Sequence, residues 1–165
     1  MGQHKLDDRD LKILRILSTD GRIKVSELAK QLNLSAAPCW ERLRKLEKLG
    51  FVKGYKAEIA LAKIAAHITV FVVVELEYHR AESFQIFERM IEKVDEITSC
   101  WAIGGGYDYL MQVITRDIQT YQTLMDKLLE QRIGIAHYTT YVVTKPIKQN
   151  STLPFDVLLG TDKEG

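Results

Sequence analysis

The 165-residue sequence predicts an α+β chain in two parts, three helices followed by a βαββαβ unit. Apolar residues recur at helical spacing up to Gly50, and from residue 67 they gather instead in β-rich runs, two of which flank the turn signal Gly104-Gly105-Gly106. The charge divides at the same place. Residues 1 to 56 carry 13 Lys or Arg against 7 Asp or Glu, and residues 57 to 165 carry 10 against 15. A basic module suited to a polyanion is thus joined to an acidic one.

In the first part, Asp7 caps a helix with Asp10 three positions on, and Leu11, Ile13, Leu14, Ile16 and Leu17 give it an apolar side that ends near Ser18. Thr19, Asp20 and Gly21 break it. Ser26 is the expected cap of a short second helix carrying Leu28, Ala29 and Leu32, and Asn33, Leu34 and Ser35 form the turn that follows. Ser35 caps the third helix, Pro38 sits in its first turn, where no backbone donor is needed, and Gly50 ends it. Helical spacing buries Cys39, Leu43 and Leu46 and turns Ala37, Glu41, Arg44, Lys45 and Lys48 outward. Phe51 to Tyr55 is the expected wing. The first domain therefore spans residues 1–56, and residues 57–66 read as a linker.

The second domain, residues 67–148, begins with a Val-rich strand from Ile68 to Glu77 and a helix from Ser83 to Val94. Strands from Ile97 to Ile103 and Tyr107 to Thr115 follow, then a helix from Ile118 to Leu129 and a strand from Ile135 to Lys145 before Pro146. This order is the ferredoxin-like arrangement. An antiparallel sheet with helices on one side leaves the other side open, so Val72 and Val74, or their alternates, are expected to meet a second copy in a homodimer. Residues 149–165 read as a partly ordered tail.

The overall composition, 46% hydrophobic and 27% charged, is that of a folded globular chain. The apolar run from Ile68 to Val74 is too short to cross a bilayer and MGQHKLDDRD has no apolar signal core, so a cytoplasmic place and no membrane partner are expected. Cys39 and Cys100 lack C-x-x-C spacing and read as packing residues. His4, His67, His79 and His137 are scattered, so neither a metal site nor a triad is indicated, and no cofactor is expected. Trp40 and Trp101 read as packing anchors, Trp40 on the flank of the third helix.

Two segments carry functional signals. The second and third helices have the spacing of a helix-turn-helix, whose later helix enters the major groove of double-stranded DNA. An ordinary three-helix bundle with a solvated basic helix has the same periodicity. Gly104-Gly105-Gly106-Tyr107-Asp108-Tyr109 lacks the Lys-Ser or Lys-Thr pair and the following helix of a phosphate loop. Besides serving as a hairpin turn, its open amides suit a carboxylate and Asp108 suits an ammonium, the two charges of an amino acid.

These elements together resemble the Lrp/AsnC, or leucine-responsive, family of transcriptional regulators. The matching pieces are Leu6-Asp7, Asp10, Ile13-Leu14, Leu28-Ala29, LSAAPCWERLRKLEKLGFVKGYKAEI from Leu34 to Ile59, and GGGYDYLMQV from Gly104 to Val113, which resembles the family's Gly-x-x-Asp-Tyr element. The resemblance runs from residue 6 to residue 154, and Ser151-Thr152-Leu153-Pro154 is similar to the end of one branch. It implies an N-terminal winged helix-turn-helix and a C-terminal effector and oligomerisation domain, dimers that pair through their sheets, octamers or similar rings, and no enzymatic activity. It carries over Ser35, Ala37, Pro38, Glu41, Arg42, Arg44 and Lys45 as DNA-contacting residues. Arg42 projects toward the edge of the exposed face and suits a phosphate. An amino-acid effector would lie near Gly104, Gly106, Tyr107 and Asp108, with Thr140 nearby, and would shift assembly or DNA affinity. Gly105 and Tyr138 to Val143 single out no particular effector. The competing readings are a DNA-architectural protein that senses nothing and a dimeric ferredoxin-like enzyme or carrier.

Overall fold

A computed structural model describes residues 5–148 and 153–160. The chain divides into two compact units, Met1–Glu58 with Lys148–Gly165, and Ile59–Ile147. His4 and Ser151-Thr152 lie outside the described residues.

The first unit contains α1 (Asp8–Thr19), α2 (Val25–Gln31) and α3 (Ala36–Lys48). A reciprocal capping box opens α1: Asp10's amide donates to Asp7 Oδ1 at 2.8 Å and Asp7's amide to Asp10 Oδ2 at 3.2 Å. Such a cap contributes about 1 kcal/mol. The expected cap of α2 is displaced. The helix starts after Lys24, whose carbonyl takes the first amides, and Ser26 lies inside the first turn. The earlier start lets Val25 pack with Leu28 and Ala29 on the core.

Asn33, at φ 52°, closes α2 in the left-handed region: its amide bonds to Lys30 O and the amide of Leu34 to Ala29 O. The same pairing ends α3 at Gly50, where φ is 78°, with Gly50 bonded to Glu47 O and Phe51 to Leu46 O. Both are Schellman closures, which satisfy helix carbonyls within a sharp turn. The turn at Asn33 fixes where α3 leaves α2. Ile13, Leu28, Ala29, Leu32, Cys39, Leu43 and Leu46 form the core between the three helices. Residues Phe51 to Tyr55 form no strand. Val52 packs on the helical core and Tyr55 Oη donates to Glu47 Oε1 at 2.8 Å, which draws the segment onto α3 rather than into a hairpin.

In the second unit, β1 (Ile68–Leu76), β2 (Ile97–Ala102), β3 (Tyr109–Thr115) and β4 (Ile135–Val142) form one antiparallel sheet in the order β2-β3-β1-β4. The helices α4 (Ala81–Ile91) and α5 (Ile118–Glu130) connect β1 to β2 and β3 to β4, giving the ferredoxin-like arrangement. A single 3-10 turn, Leu61–Lys63, occupies the expected linker. The last strand ends at Val142, and the Val143 amide makes a further bond to Thr69 O near the start of β1.

The core lies under one side of this sheet. Val70, Val72, Val74 and Leu76 join Tyr109, Met111 and Val113 against Phe87, Ile91, Tyr121, Leu124, Met125 and Leu128. Val72 and Val74 thus face the helices, and the alternates occupy the open side. The register places Phe71 beside Gln112 and Tyr141, Val73 beside Leu110 and Thr139, and Trp101 beside Leu110.

The described part of the tail contains α6 (Phe155–Leu159), which belongs with the first unit. Arg15 of α1 donates to both carboxylate oxygens of Asp156, at 2.5 and 3.1 Å, and lies 5.3 Å from the Phe155 ring centroid.

Candidate DNA interface and effector loop

The outer side of α3 is an exposed charged surface of the helical unit. Burial of Cys39, Leu43 and Leu46 fixes the rotation of the helix and exposes Ser35, Ala37, Pro38, Glu41, Arg44, Lys45 and Lys48. Ser35 occupies the cap position with extended backbone, and its hydroxyl makes no capping bond. Lys45 and Lys48 form no ion pair among the described residues, leaving their ammonium groups open to a polyanion. Arg44 stands 3.7 Å from Glu47 and its guanidinium lies 5.6 Å from the Trp40 ring centroid. At an exposed site such a cation–π contact contributes about 0.5–1 kcal/mol.

Arg42 is placed differently from the other cations. Its Nη1 donates to Asp7 Oδ2 at 2.6 Å and to Asp10 Oδ1 at 2.7 Å, joining α3 to the cap of α1. Asp10 is only 8% exposed, so this guanidinium offsets a nearly buried carboxylate. The Asp10 amide, and after it the Arg42 side chain, hold the Asp7 carboxyl below its ordinary range despite the opposing effect of burial. Trp40 also departs from expectation: it is 51% exposed and is not a packing anchor.

In the sheet unit, the Gly104–Gly106 turn is closed by the Ile103 amide donating to Asp108 O at 2.9 Å. Gly105 has φ 128°, a conformation that disfavours any side chain. The three glycines are exposed, and added Cβ atoms would meet nothing within 4 Å. Asp108 anchors this turn to the end of β1. Its amide donates to Val74 O at 2.8 Å, its Oδ2 accepts the Leu76 amide at 2.8 Å beside a β-bulge, and its Oδ1 lies 3.1 Å from His79 Nε2.

Tyr107 Oη lies 3.2 Å from Thr139 Oγ1. Thr140, the expected neighbour, pairs in register with the buried Val72 and shares a 2.5 Å hydrogen bond with Tyr121 of α5, on the helix-covered side. Strand alternation therefore brings Thr139 to Tyr107 and carries Thr140 away. Nearby, Tyr109 Oη donates to Glu88 Oε1 at 2.8 Å, and burial, then Glu88, raises the pKa of this phenol. Cys100 is exposed rather than packed as expected; desolvation by its surroundings first and Glu88 second push it up to about 11, which keeps it a thiol at neutral pH.

The chain matches two family models, a winged helix-turn-helix DNA-binding domain over residues 6–53 and the Lrp/AsnC ligand binding domain over residues 69–153. The chain belongs to the Lrp/AsnC family. It is 49% identical over 147 residues to the transcriptional regulatory protein DoeX of Halomonas elongata, covering 89% of this chain and 93% of that protein. It is 36% identical over 148 residues to the leucine-responsive regulatory protein of Escherichia coli, 90% of each chain. A transcriptional regulator of Neisseria meningitidis solved as a complex with L-methionine superposes with a TM-score of 0.86 at 30% identity, over 93% of this chain and 99% of that one. This Lrp/AsnC protein is thus a DNA-binding transcriptional regulator rather than an enzyme. Among the described residues no helix is long and apolar enough to cross a membrane.

Proposed function

We propose that this Lrp/AsnC regulator binds specific duplex DNA in the cytoplasm through the outer side of α3 and that an amino acid held at the Gly104–Gly106 turn alters its assembly or DNA affinity. The observation that carries the DNA reading is the set of unpaired cations Lys45 and Lys48 beside Arg44, held outward by the buried Cys39–Leu43–Leu46 stripe. Lys and Arg neutralise phosphates and set position, and Ser35, Ala37, Pro38 and Glu41 at the start of the helix stand where side chains reach base edges. In this reading Arg42 orients α3 and touches no phosphate.

The effector reading rests on the exposed turn amides, which suit a carboxylate, and on Asp108, whose Oδ1 keeps a second lone pair for an ammonium beside His79. Gly104, Gly106, Tyr107 and Asp108 line that place, and Thr139 takes the part expected of Thr140. The L-methionine complex of the Neisseria meningitidis relative supports an amino acid as the ligand class. We further propose that two copies pair their open sheet faces through Phe71, Val73, Leu110, Trp101 and Tyr141, and that such dimers assemble into octamers or similar rings. Residues 57–66 then act as the linker between the DNA-binding and effector domains.

The test titrates the full chain into random-sequence and selected duplexes at several salt concentrations, with and without each amino acid, while following particle mass. Preferential binding to the selected duplex, shifted by one amino acid, is the expected result. Equal binding to all duplexes, unchanged by any amino acid, would overturn the sensor reading in favour of an architectural one.

A further inference from the structure

An exposed tryptophan on a charged helix calls for a partner. Trp40 is 51% exposed, whereas its neighbours Cys39 and Leu43 are buried, so the indole contributes little to the helical core. It is the fifth residue of the 13-residue α3, in the half of a recognition helix that reaches base edges. The surface around it is that of a helix suited to a polyanion, with Arg44 one turn on and Lys45 and Lys48 beyond.

The indole offers one N–H donor and an otherwise apolar ring. In the major groove the one apolar group on a base edge is the C5 methyl of thymine. The guanidinium of Arg44 rests 5.6 Å from the Trp40 ring centroid, and this platform limits the directions in which the arginine can point. Arginine in that groove pairs with guanine O6 and N7. We propose that Trp40 is a specificity-determining residue that recognises thymine through its C5 methyl group and steadies Arg44 for a guanine in the neighbouring base pair. This rests on the reading of α3 as the DNA-contacting helix.

The experiment first selects duplexes bound by the wild-type full chain from a random pool. Each thymine of the selected site is then replaced singly by deoxyuridine, which removes only the methyl group, and affinities are measured by fluorescence anisotropy for wild type, Trp40→Ala, Trp40→Phe and Lys45→Ala. At one thymine per half-site the wild type should lose affinity roughly three- to fivefold, the amount expected for one methyl group. Trp40→Ala should bind the thymine and deoxyuridine duplexes equally, with an unchanged salt slope, while Trp40→Phe retains part of the discrimination. Lys45→Ala should weaken both duplexes equally and lower the salt slope. If Trp40→Ala keeps the wild-type preference for thymine, or if no thymine is sensitive in the wild type, the assignment of Trp40 is overturned. If Lys45→Ala changes neither affinity nor slope, the DNA face itself is misplaced, which separates failure of that reading from failure of this one.

Discussion

Replacing Arg42 with alanine separates two roles for one guanidinium, a phosphate contact and a link between helices. The pair with Asp7 is open to solvent, its carboxylate being half exposed, and contributes about 0.5 kcal/mol. The pair with Asp10 is enclosed, with that side chain 11% exposed, and its loss falls below the range for fully buried pairs, at about 2 kcal/mol. A loss of about 2–3 kcal/mol follows, which for a domain of this size lowers Tm by roughly 10 °C or more. The two tryptophans fall one in each unit, so urea unfolding of single-tryptophan variants of the full chain reports Trp40 for the helices and Trp101 for the sheet. The Trp40 transition should move to lower urea.

The pH dependence has a definite sign. The Asp7 pKa is lowered in the folded chain, so its contribution is present above the unfolded value near 3.9 and disappears as pH falls through the lower folded value. Arg42→Ala removes only the Arg42 part of this shift, the larger Asp10 amide contribution remaining, and should therefore make the acid limb of stability below about pH 4 less steep without abolishing it. A variant with unchanged unfolding but a DNA salt slope lower by about one phosphate contact would refute the structural assignment and restore Arg42 to the DNA surface.

Lys45→Ala should weaken binding across all duplexes and reduce the salt slope by about one, whereas Arg44→Ala should weaken the selected duplex more than random DNA, both measured by anisotropy between low and moderate salt. Asp108→Asn removes the partner charge of His79 and weakens the acceptor for the Leu76 amide, so calorimetry should show loss of the amino-acid response and a destabilisation of about 1 kcal/mol. Tyr121→Phe deletes the bond to Thr140 and should cost about 1 kcal/mol in urea unfolding while leaving effector affinity unchanged, since that hydroxyl lies on the helix side of the sheet. Trp101→Glu places a charge on the open sheet face, where Trp101 is 47% exposed, and should shift the molecular mass measured by sedimentation toward the monomer.

Local and periodic signals in the sequence anticipate much of this architecture. The Asp7–Asp10 spacing yields the observed capping box, the Cys39–Leu43–Leu46 stripe is the buried stripe, and the βαββαβ order is the observed order. What the sequence leaves open depends on contacts between distant residues. Arg42 meets Asp7 and Asp10 across 35 and 32 positions, and no helical wheel contains that pairing. A period of two divides β1 into Val70-Val72-Val74 and Phe71-Val73 without saying which set the helices cover, since both are apolar. The same ambiguity separates Thr139 from Thr140. Ser26 is an adequate cap by residue type, but packing of Val25 moves the helix start before it.

Arg42 and Asp108, the two charged residues with the plainest ligand chemistry, both bond to the protein itself. Arg42 ties α3 to the capped end of α1 and, with the buried Cys39–Leu43–Leu46 stripe, sets the direction of Trp40, Glu41, Arg44 and Lys45 from within the protein. Asp108 fixes the glycine turn to the bulged end of β1, so the turn amides are directed before any carboxylate arrives. Under the proposed function, binding would then require less ordering of these groups. The glycine turn is also joined to β1 through the bond from the Leu76 amide to Asp108 and the Ile103 bond that closes the turn. The open sheet face carries the alternating residues of that same strand, so in the proposed function pairing of two sheets and filling of the turn would act on one backbone.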